Sequence, residues 1–278
     1  MILHFKHKGF DLSSRTHIMG ILNVTPDSFS DGGRFHRFED AIAQGMRMIQ
    51  EGADIIDVGG ESTRPGSDPV TLEEELSRVI PVISTLAQKT EVPISVDTYK
   101  SEVARRALDA GAQMINDISA LRFDPEMKKI AGEYQVPVVL MHIKGTPKDM
   151  QKDPSYDDVI GEIAQYLRES IQLAQEGGVE KERILIDPGI GFGKRLVDNL
   201  NILKNLREFS ILGCPILIGC SRKSFIGKIL DLPLEERLEG SLAALAVAIM
   251  NGASIVRVHD VKESKRVAGL VDAVRGVD

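Results

Sequence analysis

Eight short apolar, largely β-branched runs punctuate the chain, each followed by a polar or glycine-rich stretch and then a longer segment. They occupy residues 18–24, 55–58, 94–96, 114–115, 136–141, 184–186, 216–218 and 255–258. Their apolar residues are nearly continuous rather than alternating, as in parallel strands covered on both faces. The longer segments have helical spacing. Residues 157–176 place Ile160, Ile163, Ala164, Leu167, Ile171 and Ala174 on one face and stop at Gly177-Gly178. Residues 71–88 open with a Thr71-to-Glu74 capping pattern, with Pro81 a possible kink. Residues 101–110, 236–250 and 261–274 complete the clearest helices.

Eight β-α units without a composition break predict a single (β/α)8 TIM barrel spanning residues 1–278, a fold that takes roughly 250 residues. The first sixteen residues fit no unit and read as a short N-terminal hairpin or cap over the barrel floor. A doubly wound open sheet fits less well, because no GxGxxG follows the first strand and the polar motifs are spread over all eight.

The composition, 42% hydrophobic and 27% charged, suits a globular domain with a substantial core. Trp is absent and aromatics make up 5%, which argues against a base-stacking platform. Lys and Arg number 34 against 41 Asp and Glu, a net charge of −7 that disfavours a general nucleic-acid or membrane surface. Cys214 and Cys220 flank one apolar stretch, poorly placed to bridge, and no Cys/His cluster suggests zinc. No signal peptide is evident, and residues 242–250 are too short to span a bilayer. The expectation is a reduced cytoplasmic protein.

A barrel delivers its functional side chains at the carboxyl ends of its strands. Here the strands run into Asn23, Asp57, Asp97, Asn116-Asp117, His142, Asp187, Ser221-Arg222-Lys223 and His259-Asp260. Asp and Asn favour strand ends for structural reasons too, and Asp97 is also placed to cap a helix. Polar residues at all eight ends nevertheless point to a common site. Asp97, Asn116 and Asp187 match a ligand edge rich in N–H donors, such as an aminopyrimidine. Asp57, deeper in its strand, reads as a supporting residue.

Arg64, Lys223, Arg257 and His259 form a cationic set at or just beyond strand ends. Arg257 alternates with Val256 and Val258, so it is poorly placed to reach bulk water. The last helix starts after Asp260, so its free N–H groups lie beside His259 and favour an anion. Gly189-Ile-Gly-Phe-Gly193 alone is a weak phosphate signature. Asn23 is a candidate Mg²⁺ ligand, Asp27 and Asp31 weaker ones, because Mg²⁺ on a diphosphate needs few protein oxygens. His142 reads as a packed, hydrogen-bonded residue.

The motifs, in order, resemble the dihydropteroate synthase family of folate biosynthesis. They are Met19–Gly33, beginning Met-Gly-Ile-Leu-Asn-Val-Thr-Pro-Asp-Ser-Phe, and Gly52–Gly66, ending Gly-Glu-Ser-Thr-Arg-Pro-Gly. Ser95-Val-Asp-Thr98, Ile115-Asn-Asp-Ile-Ser-Ala120, Asp187-Pro-Gly-Ile-Gly-Phe-Gly-Lys194, Ser221-Arg-Lys-Ser224 and Arg257-Val-His-Asp-Val261 follow. The resemblance implies condensation of 6-hydroxymethyl-7,8-dihydropterin pyrophosphate with p-aminobenzoate. It implies that Asp97, Asn116 and Asp187 hold the pterin's aminopyrimidine edge, with Lys223 on its carbonyl side and Arg257 stacked on the ring. Asn23, Arg64 and His259 would bind pyrophosphate, with Mg²⁺ at Asn23. Thr63, Pro65, Phe29, Phe192 and Ser224 would form the aminobenzoate pocket once loops 25–37 and 61–69 close as lids. Asp97, Lys223 and Arg257 are the expected catalytic residues, and a homodimer is expected.

Three other readings compete. A pterin-binding methyltransferase domain would share the barrel, but Thr63-Arg64-Pro65 and Ser221–Ser224 favour the synthase. A non-catalytic pterin-binding protein would not need the anion-binding residues. A Schiff-base aldolase would use Lys223, for which the sequence carries no sign of a depressed pKa.

Overall fold

The computed structural model describes residues 1–6, 8–25 and 34–277, without the side chains of 34–37. Two short strands, β1 (Ile2–His4) and β2 (Gly9–Asp11), pair antiparallel. Eight parallel strands then close a barrel: β3 (His17–Asn23), β4 (Ile55–Gly59), β5 (Ile94–Asp97), β6 (Met114–Asp117), β7 (Val138–Met141), β8 (Ile184–Asp187), β9 (Ile216–Ile218) and β10 (Ala253–Val258). They pair in chain order, with β10 closing onto β3.

The helices between them include α1 (Arg34–Gln50), α2 (Leu72–Lys89), α3 (Ser101–Asp109), α4 (Met127–Tyr134) and α5 (Val159–Glu176). α6 (Leu196–Lys204), α7 (Ser224–Leu230), α8 (Leu238–Met250) and α9 (Val261–Arg275) follow. α2 begins as its sequence predicts, with the Thr71 hydroxyl accepting from the Glu74 N–H, a cap worth roughly 0.5–2 kcal/mol. The reciprocal half of the expected box is absent, because the Glu74 carboxylate pairs with Arg78 instead. Pro81 lies on the exposed side and does not end the helix. Water can satisfy the carbonyl that proline leaves unpaired there.

The strand period of two divides the barrel into two faces. Ile18, Leu22, Ile56, Val58, Ile94, Val96, Val138, Leu140, Ile184 and Ile186 pack outward under the helices. Met19, Ile55, Met114, Val139, Leu185, Leu217 and Ile255 form an inner layer, closed from below by Leu3, Phe10 and Leu12 of the hairpin. His17 stacks on Phe10 at the same floor, their ring centroids 4.7 Å apart. Moving toward the carboxyl ends along the inward positions, Met19 gives way to Asn23, Ile55 to Asp57, Ser95 to Asp97, and Met114 to Asn116. On the far side Leu185 gives way to Asp187, and Ile255 to Arg257 and then His259. The floor is therefore apolar and the mouth polar.

Candidate active site

The mouth is organised around a buried carboxylate. Asp57 Oδ2 accepts from Arg257 Nε at 2.6 Å and from Asn116 Nδ2 at 3.0 Å. The other end of the Arg257 fork donates to Asp97 Oδ2, also at 2.6 Å. One guanidinium thus ties β10 to β4 and β5, and Asn116 adds β6. Asp57 is fully buried and supports the residues around it, as expected from its depth in β4.

Burial pushes the Asp97 carboxyl up to about 7; Arg257 opposes this, while Asp57, Glu75 and Asp117 add to it. Burial also raises Asp187 to about 6, against the Gly189 N–H, which donates to Oδ1 at 2.7 Å, and the positive charges of Lys223, Lys194 and Arg257. Arg257 is held above the ordinary arginine range, because Asp57 and Asp97 outweigh its burial. Lys223, partly buried at the start of α7, is lowered to about 8 by burial and by Arg257. That depression was not legible in the sequence. Its Nζ lies 4.1 Å from the centroid of the Phe192 ring. Phe192 in turn joins Ile118, Met141, Ile143 and Met150 in an apolar wall.

The cationic reading of His259 is corrected. Burial, with Arg257 and Arg222 nearby, lowers it to about 3, so it is a neutral imidazole. Its Nδ1 lies 3.0 Å from Ser221 Oγ, but so weak a base cannot activate a serine nucleophile. Asp260 gives it no hydrogen bond and supports its charge only through space, because both its carboxylate oxygens take the Arg222 fork, at 2.5 and 3.1 Å. Cys220 is no better a nucleophile: burial pushes its thiol up to about 12.

Two loops near the mouth are built by charged side chains, one by Asp117, which the sequence places among the strand-end polar residues of the common site. Asp117 accepts from the Ser119 N–H and hydroxyl with one oxygen and from the Leu121 N–H with the other. It thereby stabilises Ala120 and Leu121 at φ of 52° and 68°, a costly conformation for non-glycine residues. The loop carrying Thr63, Arg64 and Pro65 is clasped at its neck. Glu61 Oε2 accepts from the Val70 N–H and from Lys100 Nζ, and that ammonium also donates to the Val70 carbonyl and to Glu75. Tyr99 donates to the other Glu61 oxygen at 2.7 Å.

Asp97, Asn116, Arg257 and Asp57 are therefore in direct contact, with Asp187, Lys223, Phe192 and His259 on the same mouth. Asn23 and Thr63 are half-buried, whereas Arg64, Pro65 and Ser224 are exposed. Among the described residues, no side-chain hydrogen bond or ion pair joins these five to the central cluster. Phe29, Asp27 and Asp31, with residues 26–33 of the first expected lid, lie outside the described residues, and its last four residues, 34–37, already belong to α1. No group of three or more His, Cys, Asp or Glu side chains among the described residues forms a metal cage.

A model of the family described as pterin binding enzyme matches residues 19–259. The dihydropteroate synthase of Synechocystis sp. is 51% identical over 266 residues, covering 95% of this chain and 92% of that protein. The Escherichia coli K12 dihydropteroate synthase is 52% identical over 260 residues, 94% and 92% of the two chains. The chain belongs to the dihydropteroate synthase family. Its fold agrees throughout with a Yersinia pestis dihydropteroate synthase solved with a sulfonamide drug, at a TM-score of 0.95, 45% identity and full coverage of both chains. A Xanthomonas albilineans dihydropteroate synthase in complex with 7,8-dihydropteroate superposes at a TM-score of 0.90, with 44% identity and full coverage of both. As a dihydropteroate synthase the protein is a transferase of folate biosynthesis, and the methyltransferase and non-catalytic readings are not favoured.

Proposed function

We propose that the protein joins 6-hydroxymethyl-7,8-dihydropterin pyrophosphate to p-aminobenzoate, releasing 7,8-dihydropteroate and pyrophosphate by an SN1-like displacement. The observation that carries this reading is the convergence of Asp97, Asn116, Asp187, Lys223 and Arg257 on one buried mouth. Asp97 and Asp187 accept N–H donors from the pterin's aminopyrimidine edge, Asn116 adds an amide, and Lys223 faces the ring carbonyl. Arg257, already pairing both carboxylates of the near wall, stacks on the ring. His259, a neutral donor, and Arg64 bind the diphosphate. Thr63, Pro65, Phe29, Phe192 and Ser224 receive the aminobenzoate.

Bond cleavage leaves positive charge on the pterin methylene carbon, which the negative potential of the two buried carboxylates stabilises. The arylamine is neutral at physiological pH and attacks without a strong base. This fits a site whose serine, histidine and cysteine are not activated. Asn23 offers a half-buried carboxamide oxygen at the carboxyl end of β3, a donor suited to a hard cation that keeps its waters and takes diphosphate oxygens. Mg²⁺ held there would neutralise charge on the leaving group.

Incubating the purified protein with both substrates and Mg²⁺ tests this. Dihydropteroate and pyrophosphate should appear in equal amounts, and omitting p-aminobenzoate should leave only slow pterin release. Absence of dihydropteroate refutes the reading. Pterin binding, followed by the ligand's own fluorescence, should weaken as pH falls through about 7 and then about 6, as Asp97 and Asp187 take up protons and lose acceptor capacity. A flat profile would remove the carboxylates from pterin recognition.

A homodimer in a reducing cytoplasm completes the proposal. Val247 and Met250 of α8 and Leu270 and Val274 of α9 are exposed apolar side chains on adjoining helices, and Cys214 and Cys220 are free and buried. Sedimentation should give twice the chain mass, and Leu270→Glu should shift it toward the monomer. A monomeric native protein refutes the dimer.

A further inference from the structure

Lys194 closes the glycine-rich turn after β8, is only 3% exposed, and plays no part in the chemistry above. Its Nζ lies 2.9 Å from His142 Nδ1, 2.9 Å from the Phe192 carbonyl oxygen and 3.4 Å from the His142 carbonyl oxygen. Burial lowers Lys194 to about 7, and Asp187 and Asp198 favour its charge only through space. Burying a lysine among neutral acceptors is costly, and hydrogen bonds to each of its protons offset that cost. His142 is a suitable acceptor: burial and the Lys194 charge lower it to about 2, leaving the ring neutral.

The three acceptors belong to two different turns, one after β7 and one after β8. The turns touch through bare backbone. Gly189 and Gly193 have φ of +72° and +66°, and a Cβ on them would stand 2.0 Å from the His142 oxygen and 2.4 Å from the Lys144 oxygen. No side chain fits between the turns at these two points, so polar bonds join them there, beside the packing of Phe192 on Ile143 and Met150. Tyr156 donates to the Gly193 carbonyl and Gln151 to the Gly191 carbonyl from the same side. Lys194 binds the carbonyl of Phe192 itself, whose ring meets Lys223 and the apolar wall.

We infer that Lys194 is a positioning residue for the second substrate: by pinning the Phe192 carbonyl to His142, it fixes the Phe192 ring at the seam between the pterin rim and the aminobenzoate pocket. This rests on the function proposed above. A displaced ring disturbs the aromatic amine's seat before it disturbs the pterin, which Asp97 of β5 and Asn116 of β6 hold from strands remote from this turn.

Lys194→Met keeps the length and removes the donors. Its KM for p-aminobenzoate should rise roughly tenfold to a hundredfold, as expected when a positioning contact is lost. Its KM and affinity for the pterin diphosphate should stay within about twofold, since Asp97 and Asn116 of that seat lie on other strands and Asp187 keeps its own bond to the Gly189 N–H. His142→Leu, which removes the ring acceptor and leaves the lysine, should move the same KM in the same direction, and it decides the matter should circular dichroism show Lys194→Met unfolded. Equal rises in both KM values, or a change in kcat alone, overturn the inference by making Lys194 a general structural or chemical group; so does an unchanged KM. A native chain that binds p-aminobenzoate without converting it defeats only the proposed function, and calorimetric affinity for p-aminobenzoate then replaces KM. A native chain that neither binds nor converts it overturns both.

Discussion

Arg257→Met is expected to destabilise the folded protein by about 3–5 kcal/mol near neutral pH, the usual cost of stripping one partner from a buried ion pair. The Arg257 side chain is 18% exposed and Asp57 is fully buried, so water cannot replace the lost guanidinium at Asp57. Asn116 remains as a neutral donor to Asp57, and Asp97 loses its one direct cation. The protein has one inexpensive response, which is to protonate Asp97. That group already sits near 7 with Arg257 present, and every other charge named around it pushes it further up.

The sign of the pH dependence follows. Folded Asp97 binds its proton more tightly than the unfolded chain, whose carboxyl lies near the ordinary value of 3.8. Its stabilising contribution is present at low pH and is lost as pH rises through the folded value. With Arg257 gone that value moves higher. The stability deficit of the variant should therefore be largest in alkali and shrink on acidification. Urea midpoints of both proteins across the pH range measure this. Arg257→Lys, which keeps the charge without the fork, should fall between them. A deficit independent of pH would mean that Arg257 contributes packing rather than charge.

The same cluster shows what was legible in the sequence. The eight strands could be read because both their faces are buried, so the apolar runs stand out. The mouth could be read because inward positions change from Met19, Ile55 and Leu185 to Asn23, Asp57 and Asp187 within a few residues. Charge states could not be read, since they depend on neighbours distant in the chain. His259 is neutral partly because Arg222, 37 residues earlier, stands beside it while occupying Asp260. Lys223 is depressed by burial at the start of α7 and then by the charge of Arg257 on β10. Lys194 and Lys100 escaped notice for a related reason. A lysine in sequence reads as a solvated surface charge, and only the folded chain shows one sealed between two turns and another clasping a loop neck. Thr63, Arg64 and Ser224 carry the opposite lesson: motif resemblance places them in the pocket, yet among the described residues no side-chain hydrogen bond or ion pair joins them to the carboxylate cluster.

Asp97→Asn separates recognition from chemistry, with an expected fall in kcat of roughly 10²- to 10³-fold, the range typical of losing one preorganised electrostatic group. Asparagine matches the shape of aspartate and keeps one oxygen acceptor, so the pterin still binds, though more weakly. It removes a negative charge from the pterin's seat and leaves Arg257 with Asp57 alone, making the potential across the ring more positive as positive charge develops. Single-turnover cleavage of the pterin diphosphate, measured at saturation, isolates this effect from affinity. The wild-type rate should also fall as pH drops through about 7, where Asp97 protonates, and the variant should lose that limb while keeping any contribution from Asp187 near 6. Should the saturated variant cleave its substrate at the wild-type rate, the carboxylate would serve only to hold the ring, and the positive charge would have to be stabilised by Asp187 and the pterin itself.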